Sequence, residues 1–216
     1  MAGKKQQKGT CYFCGAATTK GYMAQHLAKH YADGEGQPCC LLKIEDESKN
    51  YWLFVDVPVT SALSVLDTFL RNVWLECCGH MSAFMPVGFY DGEFAMSKKI
   101  GYFEPGTVLQ YDYDFGSTTT LYITFVREIY RPKQRSAVRV LARNEPYEFS
   151  CCRCGKPAAW IDVETWPNEF YCEKCIAENH LEEDILLPVV NSPRMGVCAY
   201  TGEYDRFQYD PRKTGR

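Results

Sequence analysis

Apolar residues along this chain change their period several times, and the changes mark out the elements. Tyr51-Trp52-Leu53-Phe54-Val55-Asp56-Val57 is a run of aromatic and β-branched residues that predicts a strand, ended by Pro58. Beyond it Leu63, Leu66, Phe69, Leu70, Val73 and Trp74 recur at steps of three and four. That spacing predicts one long amphipathic helix, with Thr60 or Ser61 available as its cap and Asp67, Arg71 and Asn72 on the other side. Shorter strands are predicted near Ser82–Phe89 and Gly92–Met96, around a Tyr90-Asp91-Gly92 turn. Val108–Phe115 and Thr119–Tyr130 predict a hairpin about Gly116-Ser117. Ala137–Ala142 predicts a further strand with Val138 and Val140 inward and Arg139 outward. One long helix against sequence-adjacent strands predicts an α+β fold, a mostly antiparallel sheet packed on that helix.

Cysteine and histidine spacing adds two small modules to this core. Cys11, Cys14, His26 and His30 read C-x2-C-x11-H-x3-H. His26 and His30 lie one helical turn apart and so share a face, and Gly15 closes a knuckle behind Cys14. The set resembles a two-Cys two-His zinc finger, with a spacer one residue shorter than usual and no large aromatic at Ala17-Thr18. Cys151, Cys154, Cys172 and Cys175 read C-x2-C-x17-C-x2-C and predict a zinc ribbon, its strands at Ala158–Val163 and Glu169–Tyr171. Cys152 is the alternative to Cys151, and His180 can substitute as a ligand. Zinc is therefore the expected cofactor, at two sites closed by four protein ligands; such sites hold structure together and leave no open position for catalysis. Cys77-Cys78-Gly79-His80 admits three readings. It can be a third metal site using Cys77 or Cys78 with His80 and a distant Cys39 or Cys40. It can be a Cys–His nucleophile, or buried thiols at a helix end.

The domain organisation that follows is a basic tail at 1–9, expected to be disordered, and a two-Cys two-His module at 10–32. A linker at 33–38, the core at 39–149, the ribbon at 150–181 and a C-terminal tail at 182–216 complete it. The chain has 216 residues, 46% hydrophobic and 24% charged, the composition of an ordinary globular protein. No apolar run reaches the roughly 18–20 residues that span a membrane, and no apolar segment follows the basic start as in a secretion signal. A cytoplasmic setting is expected, where paired cysteines serve as metal ligands rather than disulfides.

A net charge of −3 conceals strong local fields: residues 1–33 balance at +4, 127–143 at +5 and 150–184 at −5. The basic stretches suggest nucleic-acid contact through Lys4, Lys5, Lys8 and Lys20 at one end and Arg131, Lys133, Arg135 and Arg139 in the core. The finger's base-reading positions fall near Thr19, Tyr22 and Gln25, none an arginine that could grip guanine. The leading expectation is a non-catalytic, nucleic-acid-associated zinc protein. One alternative is a protein adaptor docking through its zinc modules. Another is an enzyme with a site near His80 and the Asp112/Asp114 pair.

Several core motifs carry a family resemblance: the strand Tyr51–Val57, the helix ending Phe69-Leu70-Arg71-Asn72-Val73-Trp74, then Gly79-His80-Met81-Ser82-Ala83-Phe84, then Tyr111-Asp112-Tyr113-Asp114-Phe115-Gly116. Together they resemble the root-inducing-plasmid ORF-3-like family, also labelled insertion-element passenger proteins, over roughly residues 50–145. Ser192–Tyr200 is similar to a tail of some members. The resemblance implies an α+β fold and an association with mobile elements or their hosts, and it implies no activity.

Overall fold

The structure is a computed structural model that describes residues 8–31, 35–88, 92–133, 136–179 and 183–202. Among these residues eleven strands fall into two antiparallel sheets. The larger has eight, β1 (Lys8–Cys11), β2 (Ala17–Thr19), β3 (Gln37–Asp46), β4 (Trp52–Pro58), β5 (Ser82–Pro86), β6 (Val108–Tyr113), β7 (Thr119–Arg131) and β8 (Arg139–Asn144). Their order across the sheet is β2-β1-β8-β4-β3-β7-β6-β5. The smaller sheet places β9 (Trp160–Asp162) between β10 (Glu169–Tyr171) and β11 (Leu186–Pro188).

The expected long helix carrying the sheet is corrected by the structure. Among the described residues, α-helix is confined to three short pieces, α1 (Lys20–Ala28), α2 (Leu63–Leu70) and α3 (Glu173–Asn179). The apolar stripe from Leu63 to Trp74 is buried, but only its first eight residues are α-helical; Arg71–Leu75 opens into a π turn. Arg71 shows why. Its guanidinium bonds Asp67, Glu76, Ser82 Oγ and the His80 carbonyl at once, drawing the end of the element toward β5. Neither Thr60 nor Ser61 caps α2: Ala62 is the cap residue, and the amides of Leu63 and Ser64 donate to the Lys98 and Met96 carbonyls. The strand expected at Gly92–Met96 is irregular chain.

Central strands are covered on both faces, which explains their almost continuous burial. Leu53, Val55 and Val57 of β4 face α2 and join Leu42, Ile44, Leu66 and Phe69 in one core. Alternate residues Trp52 and Phe54 face the other way and pack with Met23 and Leu27 of α1, Leu41 and Leu141. Because β1 pairs with β8, the two-Cys two-His segment forms the edge of the main sheet, with its helix lying over a sheet face.

That covering corrects the reading of Arg139 as outward. It opposes Asp56 in the β4–β8 register, on the face beneath α1, and is only 4% exposed. Asp56 accepts from Arg139 Nε at 3.0 Å and from Tyr31 Oη at 3.0 Å, and lies 3.4 Å from Arg131 Nε.

Candidate metal centres

Among the described residues, three groups of four side chains each bring their donor atoms within 4.8 Å of one another: Cys11, Cys14, His26 and His30; Cys151, Cys154, Cys172 and Cys175; and Cys77, Cys78, His80 and Cys198. Each group is able to hold a metal ion. Zinc bonds of about 2.3 Å to sulfur and about 2.0–2.1 Å to nitrogen place tetrahedral donors roughly 3.3–3.8 Å apart. In the first group His26 Nε2 and His30 Nε2 are 3.3 Å apart, Cys14 Sγ is 3.3 Å from His26 Nε2, and Cys11 Sγ is 3.6 Å from His30 Nε2. In the second, Cys154 Sγ and Cys172 Sγ are 3.6 Å apart. In the third, Cys198 Sγ is 3.5 Å from Cys78 Sγ and 3.5 Å from His80 Nε2.

Local backbone chemistry builds the first two groups alike. The Gly15 amide donates to the Cys11 carbonyl and the Cys11 amide to the Ala16 carbonyl. Gly155, Cys151 and Lys156 repeat both bonds. Gly15 and Gly155 have φ of 74° and 71°, a conformation that L side chains rarely adopt, so glycine is favoured there on torsional grounds although a Cβ at either would meet open space. Burial pushes the Cys151 thiol up, but the amides of Cys172, Arg153 and Cys154 outweigh it and lower its pKa to about 6. Cys175 goes the other way, to about 12, led by its bond to the Cys154 thiol. Crowded sulfurs resist ionising together, and a divalent cation among them removes that penalty.

The first two groups bring together the ligands expected from spacing. Cys151 stands in the group, whereas Cys152 is exposed, with its sulfur 3.9 Å from Glu169. His180 lies outside the described residues. The third group differs from the expectation that Cys39 or Cys40 would complete it. Those residues lie on β3, Cys39 accepting from Arg131 Nε at 3.1 Å and Cys40 in the main core. The partner is Cys198, which spacing did not reveal. A signal existed: Cys78-Gly79 repeats the Cys-Gly step of Cys14-Gly15 and Cys154-Gly155, with Gly79 at φ 73°.

The Asp112/Asp114 pair separates. Asp112 stays in β6 and accepts from Thr120 at 2.7 Å and Gln110 at 2.9 Å. Asp114 lies beyond the strand end, with φ 65°; it accepts from Arg194 at 2.6 Å and sits 3.5 Å from His80 Nδ1. Only one of the two acids therefore meets His80.

Residues expected to touch nucleic acid are dispersed. Lys4, Lys5 and Arg135 fall outside the described residues. Lys8 and Lys133 are exposed. Lys20 pairs with Glu45 and donates to the Lys49 carbonyl at 3.1 Å. Arg131 and Arg139 are 1% and 4% exposed and are held by Asp56, so the expected phosphate-tracking face is withdrawn for both. No helix among the described residues is long and apolar enough to cross a membrane.

No family model matches the chain, and no curated protein matches it. Among solved structures it is similar to a protein of unknown function, MM3350, from Methanosarcina mazei Go1, at 17% sequence identity and a TM-score of 0.42. The likeness covers 49% of this chain and 68% of that one, and at that TM-score it bears on neither fold nor function.

Proposed function

We propose that this is a non-catalytic zinc protein whose finger and ribbon metals are structural and which works by docking another protein. The observation that carries the reading is closure: each set supplies four protein donors within 4.8 Å of one another, and four protein ligands on a tetrahedral zinc would leave no coordination position for a substrate or an activated water. Two features of the ribbon support a protein partner. Trp166 is 95% exposed at the turn between β9 and β10, and an indole is the kind of anchor that dominates protein interfaces. An open groove of about 460 Å³ lies on the same module, lined by Trp160, Glu173, Ile176, Ala177 and Leu186. The −5 balance of residues 150–184 suits a partner segment that is basic around an apolar side chain.

Nucleic-acid association remains the second reading, resting on exposed Lys8, Arg127 and Lys133 and on the outer face of α1 with Tyr22 and Gln25. Membership of the plasmid ORF-3-like family, a tie to mobile elements and a reducing cytoplasmic setting belong to the proposal as well. The first two add no activity to it.

The test compares zinc-loaded wild type with Trp166→Ala, as bait for protein partners and in fluorescence anisotropy with duplex DNA and single-stranded RNA at two salt concentrations. The adaptor reading expects a defined partner lost on Trp166→Ala and no nucleic-acid binding at low salt. Salt-sensitive nucleic-acid binding that survives Trp166→Ala would overturn it in favour of the second reading.

A further inference from the structure

We propose that Cys77, Cys78, His80 and Cys198 form a third zinc site, and that its metal fastens the C-terminal segment 183–202 to the end of α2 and its π turn. In the finger and the ribbon, ligands come from stretches of about twenty-five residues or fewer, so those metals close local structure. Here Cys198 is 118 residues from His80 and 120 from Cys78. A metal at this point joins two distant parts of the chain.

The segment is already seated for that role. Ser192 Oγ donates to the Trp74 carbonyl at 2.6 Å and Tyr200 Oη to the Val73 carbonyl at 3.4 Å. Both acceptors belong to the π turn, so the strap satisfies carbonyls at the end of a helical run. Arg194 is fully buried and bonds Asp114, Thr119 Oγ1 and the Ser117 carbonyl, with its Nη2 3.6 Å from Cys77 Sγ. A site of three thiolates, one imidazole and Zn²⁺ carries a net negative charge, and the guanidinium of Arg194 stands where it offsets that charge.

The surroundings match a metal ligand set in three further respects. His80 turns Nε2 to the sulfurs and Nδ1 to Asp114, the carboxylate–histidine arrangement that orients ligand imidazoles. Gly79 has the left-handed φ of Gly15 and Gly155, again with open space around a Cβ. Cys198 itself has φ of 55°, a conformation that persists only where surrounding contacts impose it, and coordination supplies such a contact. A Cys78–Cys198 disulfide needs the sulfurs at about 2.05 Å, whereas they stand 3.5 Å apart. A Cys198–His80 nucleophile would leave Cys77 and Cys78 without a role beside it.

The experiment is metal analysis by native mass spectrometry of the full chain prepared under reducing conditions, for wild type, Cys198→Ser and His80→Cys. The expected result is three zinc ions in wild type, two in Cys198→Ser and three in His80→Cys. Cobalt substitution should show a stronger sulfur-to-metal absorption in His80→Cys than in wild type. Limited proteolysis should then cut within 183–202 faster in Cys198→Ser. Two ions in wild type, unchanged in Cys198→Ser, or a Cys78–Cys198 disulfide in the native chain, would overturn the proposal while leaving the finger and ribbon intact. No zinc at all would remove the broader zinc reading with it.

Discussion

Asp56 is a carboxylate with no exposed surface, set between Arg131, Arg139 and Tyr31. Taking one partner from a buried ion network is far more damaging than its net contribution suggests, because the remaining charges stay buried without compensation. Asp56→Ala is expected to destabilise by about 3–5 kcal/mol, read from urea unfolding. A loss below about 1 kcal/mol, the range of surface pairs, would show that the arginines reach water. This network also marks where sequence reasoning stopped. An arginine in a strand, alternating with Val138 and Val140, reads as solvent-facing when one face of a sheet is assumed covered. Here α1 covers the second face, and Asp56, one position of the same run that predicted β4, is its counter-ion.

At the scale of elements, the hydrophobic pattern located the buried positions better than it located the helix. Leu63 to Trp74 occupy the core as their spacing indicates, yet the carboxylates and carbonyls around Arg71 divide the stretch between α2 and a π turn. Periodicity records which face is buried and is silent about tertiary bonds that rewind a turn. Helix α1 shows the same dependence. Its Lys20 reaches Glu45 on β3, where Lys43 also bonds. Burial raises the Glu45 carboxyl, but the two lysines outweigh it and hold its pKa below the ordinary value. A carboxylate depressed in the folded state contributes stability above its unfolded pKa, about 4.3, and that contribution is lost as pH falls through the lower folded value. Wild type should therefore lose stability over acid pH more steeply than Glu45→Gln, in thermal melts at stepped pH. Parallel curves for the two proteins would contradict this link between α1 and the sheet.

Across the whole molecule, the Cys11/Cys14/His26/His30 and Cys151/Cys154/Cys172/Cys175 groups were legible because their members are close in sequence and follow the geometry of knuckles and helices. The third group was legible in part: Cys77, Cys78 and His80 stood out together, but no local rule pairs them with Cys198, more than a hundred residues later. Its placement depends on Arg194, Ser192 and Tyr200 finding partners in the core. The same long-range packing made the two-Cys two-His segment an edge of the main sheet through the β1–β8 pairing, which a modular reading of the chain does not anticipate. With metal bound as proposed, sheet and C-terminal segment would form one connected object, and the proposal stands or falls on metal being part of the fold.

The most direct measurement is the thermal melting temperature of the purified chain before and after chelation, with zinc content determined on the same sample. Metal that binds the folded chain and is absent from the unfolded one contributes its binding free energy to stability. Bound zinc and a fall of about ten degrees or more on chelation are expected, since each kcal/mol lost moves the midpoint of a chain this size by about 2–4 °C. A protein purified without metal under reducing conditions, melting at the same temperature with and without chelator, would contradict it.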